Sequence, residues 1–434
     1  MACRRLRWAL LFAGAAAMMP LHVGATDREP LAADSGWRDE LDRRGLSLEA
    51  VYTADAVAIV RGGAQRDRHF LDNLDLTLTC RSEELLGWDL GTVFLYGLRN
   101  SGGSPSTSLD DLQGADNIEA PTSFQLYEAW WQYSLLERMT LLIGLYDLNA
   151  EFDVAESAAL FVNSSFGMGP DFALSGVAGP SIFPATSLGT RIRLRPVDSV
   201  DWLVAVVDGI PGDPDHPGGT HVRLDRDDGL LVATELGWIV DANTGDDANL
   251  RTRRRRIGRG WGELPYTLKV AAGAWIYTRR LDDLDDVDAF GDPRRRTPAP
   301  GAYVLVDYDA SKRDPFDACG LSACARAGIA DGSVPPVEAY VGGGLAYTGL
   351  LPARPDDRFG FGVAAARTSA GQRRATRAAG GDPRDWEVAL EWTYQAQVFP
   401  WLALQPDLQW IVQPGGRSDR RNAVFVGLRT EVAL

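Results

Sequence analysis

The sequence predicts an all-β protein, a transmembrane antiparallel β-barrel of about 16 strands with one inward-folded constriction loop. Three observations carry that expectation. Apolar and polar residues alternate in segment after segment, the period of a strand with one greasy and one polar face. The chain opens with an export signal. Short and long connections alternate between the segments, as in outer-membrane barrels with brief turns at one rim and longer loops at the other.

The export signal comes first. Arg4, Arg5 and Arg7 make a positive start, residues 8–19 are apolar, and Val23, Gly24 and Ala25 are small residues ahead of Thr26. This is the arrangement of a cleaved secretory signal over residues 1–25. No later apolar run reaches the ~20 residues that a spanning helix needs. Residues 26–45 are too few for a domain and read as a short N-terminal periplasmic segment, with a helix or plug over 37–44. The barrel domain then covers 46–434.

Sixteen strand candidates follow, near 46–60, 70–81, 88–100, 123–135, 139–149, 187–195, 200–209, 229–240, 265–279, 300–309, 318–329, 337–350, 356–369, 386–398, 401–412 and 422–434. An even number suits a closed bacterial barrel. In the second, Leu74, Leu76, Leu78 and Cys80 alternate with Asn73, Asp75, Thr77 and Thr79. In the third, Leu90, Phe94, Tyr96 and Leu98 form the apolar side. In the sixth, Arg191, Arg193 and Arg195 lie opposite Leu188, Ile192 and Leu194. Three arginines on one strand face are too much charge for a dry core, so that face is expected to line a wet lumen and the other to meet lipid. Trp88, Trp238, Trp386, Trp401 and Trp410 near strand ends fit an interfacial girdle.

Parity nominates the inward residues Arg81, Arg99, Glu128, Gln132, Arg191, Arg193, Glu235, Lys269, Glu391, Gln397, Gln405 and Gln409 as pore-lining and solute-binding candidates. Arginine offers fixed donors, Glu and Gln offer acceptors, and aromatic faces stack on sugar C–H surfaces. Each of these residues also fits a solvated or salt-paired wall position. The long connection 150–186 holds Phe161, Asn163, Phe166 and Met168, odd choices for an exposed loop. It is expected to fold back into the barrel as the constriction.

The acidic balance, a formal net charge of −15, argues against nucleic acid as a partner. Much of that acid falls in connections. The run 282–292 reads as a solvated external loop, or as a divalent-cation site at the lipopolysaccharide level. One long connection, 241–264, sits where a short turn is expected and holds an arginine-rich insert over 251–256. Cys319 and Cys324, if both on an extended strand, are ~17 Å apart at about 3.4 Å per residue and out of disulfide reach. No Gly-x-Ser-x-Gly elbow, HExxH or P-loop occurs, and no cofactor or metal is expected.

The C-terminal part of the sequence, with further matches spread over most of the mature chain, resembles the carbohydrate-selective porin family, the OprB type. The carrying residues are Glu391-Trp-Thr-Tyr394, the run from Phe399-Pro-Trp401 to Gln409, Gln413-Pro-Gly-Gly416 and Val426-Gly-Leu-Arg429. Phe161-Val-Asn163, Phe166-Gly167, Leu141-Leu-Ile-Gly144 and the stretch 349–357 add to it. The resemblance implies a sixteen-stranded barrel, a narrow polar eyelet and passive uptake of mono- or small oligosaccharides. Its implied partners are sugars, outer-membrane lipid and lipopolysaccharide, and the barrel-assembly machinery, with the chain alone or as a homotrimer. The chain departs from the family in ending on Leu434 where Phe is usual. Two alternatives stay open: a general or anion-preferring porin, and a secreted β-rich glycoside hydrolase, whose carboxylate pair is defined only in space.

Overall fold

The computed structural model describes residues 36–241, 266–288, 293–296, 299–310 and 319–433. The predicted export signal and the arginine-rich insert lie outside these residues. A helix, α1 (Gly36–Arg43), leads into the first strand. The strands are β1 (Leu46–Gly63), β2 (Arg68–Arg81), β3 (Thr92–Gly102), β4 (Ser123–Leu136), β5 (Met139–Tyr146), β6 (Ser187–Leu194), β7 (Val200–Asp208), β8 (Leu230–Val240), β9 (Leu268–Tyr277), β10 (Leu281–Val287), β11 (Pro293–Arg296), β12 (Ala299–Asp309), β13 (Gly320–Ala330), β14 (Val337–Thr348), β15 (Arg358–Thr368), β16 (Trp386–Phe399), β17 (Leu402–Val412) and β18 (Arg421–Ala433). All but β10 and β11 pair with their chain neighbours, and β1 pairs with β18, so sixteen strands close one antiparallel barrel. Closure leaves no strand edge unpaired, which is what a sheet in hydrocarbon requires.

The predicted faces reappear as exposure. On β2, Asn73, Asp75, Thr77 and Thr79 are buried while Leu76 is exposed. Trp202, Trp238, Leu236, Val304, Val341, Leu345, Trp386 and Trp410 are exposed on other strands. A soluble sheet would bury this surface. Here it is the outward face.

Three local departures have physical causes. The fifth segment was expected to run to 149, but β5 stops at Tyr146 because the Asp147 carboxylate accepts from the Asn149 amide at 2.8 Å and caps a short 3₁₀ turn. The acidic run 282–292, read as a loop, contains β10, which pairs with β11 as a separate two-stranded sheet, with Asp282 opposite Arg295. Arg294 lies 3.5 Å from Asp286, and opposite charges attract across such a ladder. The third departure concerns β3. Its Phe94, Tyr96 and Leu98, expected to face lipid, face inward. Phe94 stacks on Trp130 with ring centroids 4.9 Å apart, the Tyr96 hydroxyl donates to Asp75 at 2.5 Å, and Leu98 is fully buried. The barrel interior is therefore partly apolar, and one strand can present its greasy side to it.

Among the described residues the apolar interior forms two clusters. One joins Phe94, Trp130, Leu203, Trp275 and Tyr303 of the strands to Leu148, Phe152, Met168 and Phe172. The other joins Val57, Tyr340, Ala364 and Phe425 to Leu109, Phe161 and Phe166. Apart from Val334, the non-strand members come from two connections, 103–122 and 147–186.

Candidate functional site

The polar inner face and these two connections meet in a continuous set of hydrogen bonds. Among the described residues Arg191 is the largest fully buried side chain, at 0 % exposure. Its guanidinium donates to Glu151 at 2.7 and 2.8 Å, to Thr140 at 2.8 Å and to Gln132 at 2.8 Å. Arg193 donates to Asp201 at 2.7 Å and lies 3.6 Å from Glu151. Glu235 is 2.9 Å from Lys269 Nζ and accepts from the Tyr303 hydroxyl at 2.6 Å and the Asp153 amide at 2.8 Å. Lys269 donates to the Val154 carbonyl at 3.1 Å. Glu128 accepts from the Trp130 indole at 3.1 Å and the Asp147 amide at 3.3 Å.

On the opposite wall, Glu391 of β16 accepts from the amides of Val162 at 2.6 Å and Asn163 at 3.0 Å. Gln405 of β17 donates to the Leu160 carbonyl at 2.7 Å. Gln409 donates to the Ala115 carbonyl at 2.8 Å and accepts from the Asn163 side chain at 3.1 Å. Glu387 accepts from the Leu112 amide at 3.0 Å and the Gly415 amide at 2.6 Å. The two connections also bond to each other, Asn117 amide to Val162 carbonyl at 2.9 Å and Ser164 amide to Gly114 carbonyl at 2.8 Å.

Most of the residues predicted from parity are thus brought together, but as partners of segments 103–122 and 147–186. Two stand apart. Gln397 lies at the turn before β17 and donates to the Phe399 carbonyl at 2.6 Å. Arg99 is a correction: it pairs across the ladder with outward Leu74 and lies 3.1 Å from Asp72, so it shares no face with the others. The reversal of β3 moves it out.

Phe161 and Phe166 are buried with ring centroids 4.4 Å apart. The wall beneath them is glycine. A Cβ at Gly344 would fall 2.3 Å from the Phe161 ring, and one at Gly362 would fall 2.5 Å from the Phe166 ring. No other residue permits that approach. Inward glycines at alternate positions, Gly342, Gly344, Gly360 and Gly362, are the sequence signal that could have located this seat.

Sequence reasoning also missed Asp307, Arg326 and Arg429 as anchors. Asp307 accepts from the Glu156 amide at 2.6 Å and the Tyr266 hydroxyl at 2.7 Å. Arg326 donates to Asp153 at 3.0 Å, pairs with Asp171, and lies 5.2 Å over the Tyr303 and Tyr340 rings. Burial lifts the Asp171 carboxyl above its usual value, and Arg326 pulls it part of the way back. Arg429 donates to Asp55 at 2.6 Å, across the strand pair that closes the barrel, and to Asn117 at 2.7 Å. In 103–122, burial and the nearby Glu119 carboxylate push Asp111 up to about 7.

Among the described residues, most of the acids and bases named above hold the two segments to the wall. The family model for the carbohydrate-selective porins, OprB family, matches residues 66–434. The chain belongs to that family. It is an outer-membrane porin for carbohydrate diffusion, a transport protein and not an enzyme. The porin is 23% identical to Porin B of Pseudomonas aeruginosa, over 92% of this chain and 90% of that protein. It superposes on the high-pH structure of Pseudomonas putida OprB with a TM-score of 0.79 at 19% identity, covering 95% of this chain and 100% of that one. On the low-pH structure of the same protein the score is 0.55 at 16% identity, with 94% and 98% covered. These superpositions establish the barrel fold of the porin.

Proposed function

We propose that segment 147–186 is the constriction of this porin, braced by 103–122, and that neutral mono- or small oligosaccharides pass beside it by passive diffusion. The observation that carries this reading is the pair of loop amides, Val162 and Asn163, held by Glu391 on an inward face of the wall. Arg191, Glu235, Lys269, Gln405 and Gln409 hold the same segment from other strands, so these residues set the width of the passage by fixing the loop. Phe161, Asn163 and Phe166 seat it.

Solute class follows from charge. Inner-wall cations have carboxylate partners: Arg191 with Glu151, Arg193 with Asp201, Lys269 with Glu235, Arg326 with Asp153 and Arg429 with Asp55. Pairing cancels the positive field that would select an anion, while the polar edges of these pairs replace part of a sugar's hydration. Export by cleavage after Ala25 completes the reading, on the basic, apolar and small-residue order of 1–25.

Liposome swelling tests the proposal. Monosaccharides should enter faster than disaccharides, and a salt gradient should show no preference for anions. Removing residues 156–166 should raise single-channel conductance; an unchanged conductance refutes the constriction. Intact mass of the purified protein should place its first residue at Thr26.

A further inference from the structure

The turn from β1 to β2 carries three arginines, Arg61, Arg66 and Arg68. All three are exposed, and none is ion-paired with a described residue. Nearby arginines are neutralised: Arg420 lies 2.8 Å from Asp110, and Arg417 lies 2.7 Å from Asp419. The single acid of the turn, Asp67, is occupied elsewhere. It accepts from the Ser108 hydroxyl at 3.2 Å and lies 3.6 Å from His69 Nε2.

Register shows which way two of the arginines point. Cross-strand partners share a face. Arg61 is opposite Val424, and Arg68 is opposite Ala58. Val424 alternates with buried Ala423 and Phe425, and Ala58 with buried Val57 and Ile59. Arg68 therefore points away from the lumen, and Arg61 lies at a bulge, where it and exposed Val60 both oppose Val424 and share its outward side. The next outward residue on β2 is Phe70, 57 % exposed. Along this face the surface changes from apolar to cationic within one outward step, as it does where hydrocarbon meets headgroups. The turn lies at the rim with the long connections, which is the external rim of such barrels.

The turn is also held rigidly. The Ile59 amide donates to the Asp67 carbonyl at 2.9 Å, and the amides of Ala64 and Gln65 both donate to the Ser108 carbonyl at 3.0 Å. Gly62 and Gly63, with φ of +70° and +67°, make the reversal possible. Guanidinium groups bind phosphate in a forked geometry, and a fixed backbone lowers the cost of ordering them.

We infer that Arg61, Arg66 and Arg68 form a binding site for the phosphorylated headgroup of an outer-leaflet glycolipid. The inference rests on the outer-membrane placement of the family but not on the constriction proposed above.

The test uses the full protein in detergent with three probes: bis-phosphorylated lipid A, the same lipid without its phosphates, and inorganic phosphate. The R61Q/R66Q/R68Q protein should bind phosphorylated lipid A about a hundredfold more weakly, about fivefold per arginine. R66Q alone, at the turn tip and outside the strand ladder, should lose about fivefold. R138Q, at the opposite rim, should bind like the parent. Three results overturn the inference: unchanged affinity in the triple variant with its barrel intact by heat-modifiable migration, equal binding of the dephosphorylated lipid, or equal binding of inorganic phosphate. Liposome swelling by the triple variant should match the parent. A parent that admits no sugar would refute the porin reading and leave the lipid result standing.

Discussion

Replacing Glu391 by Ala isolates what one wall residue does for the loop. The carboxylate accepts from the Val162 amide at 2.6 Å and the Asn163 amide at 3.0 Å, and all three residues are buried. Truncation leaves two buried N–H groups without an acceptor. Each costs about 1–3 kcal/mol, so loop docking weakens by about 2–6 kcal/mol. Water entering the lumen brings the loss toward the lower figure. The ladder bonds of β16 are backbone bonds and survive, so the barrel itself should keep its thermal midpoint. In planar bilayers the E391A channel should show higher and noisier single-channel conductance. Hydrogen exchange at Val162 and Asn163 should rise while the strand amides stay protected. Glu391→Gln keeps one carbonyl acceptor and should fall between parent and Ala. An E391A channel with parental conductance and parental protection at both amides would refute the claim that this carboxylate fixes the loop.

Four further outcomes are expected. Gly344→Val would drive a side chain into the Phe161 ring; overpacking costs about 1–3 kcal/mol, and conductance should change through displacement of the loop, read in the same bilayer assay. Arg191→Met would take from the Glu151 carboxylate its partner at 2.7 Å while Arg193, 3.6 Å away, remains; losing one partner of a buried pair costs up to about 3–5 kcal/mol, which should appear as a lower thermal midpoint. Asp111 is held near pH 7, above its unfolded value, by burial and Glu119. Its contribution to docking of 103–122 is therefore complete in acid and lost as pH rises through about 7; amide exchange in that segment, corrected for intrinsic rate, should quicken between pH 5 and 8 in the parent and not in Asp111→Asn. Finally, Cys80, Cys319 and Cys324 are free, so thiol titration of the unfolded, unreduced mature protein should return three thiols; one would show a bridge.

Parity along a strand is a local property, and it was legible in the residues. Alternation along the chain, plainest in 73–80, 187–195 and 386–412, placed the sixteen barrel strands and separated most inward from outward side chains, because a strand exposes successive side chains to opposite faces whatever surrounds it. Arg191, Glu235, Lys269, Glu391, Gln405 and Gln409 were found inside on that argument alone. What those side chains touch was not legible. Glu391 meets Val162 and Asn163 across more than two hundred residues of chain, and no local pattern encodes a contact at that separation. The orientation of β3 failed for the same reason: its greasy face has two possible partners, lipid outside or the apolar side chains of 147–186 inside, and only the packed interior selects between them. The ladder comes from the period of the residues, while the use of its inner wall as an anchor for the loops comes from closure, which brings distant carboxylates and amides within hydrogen-bond reach.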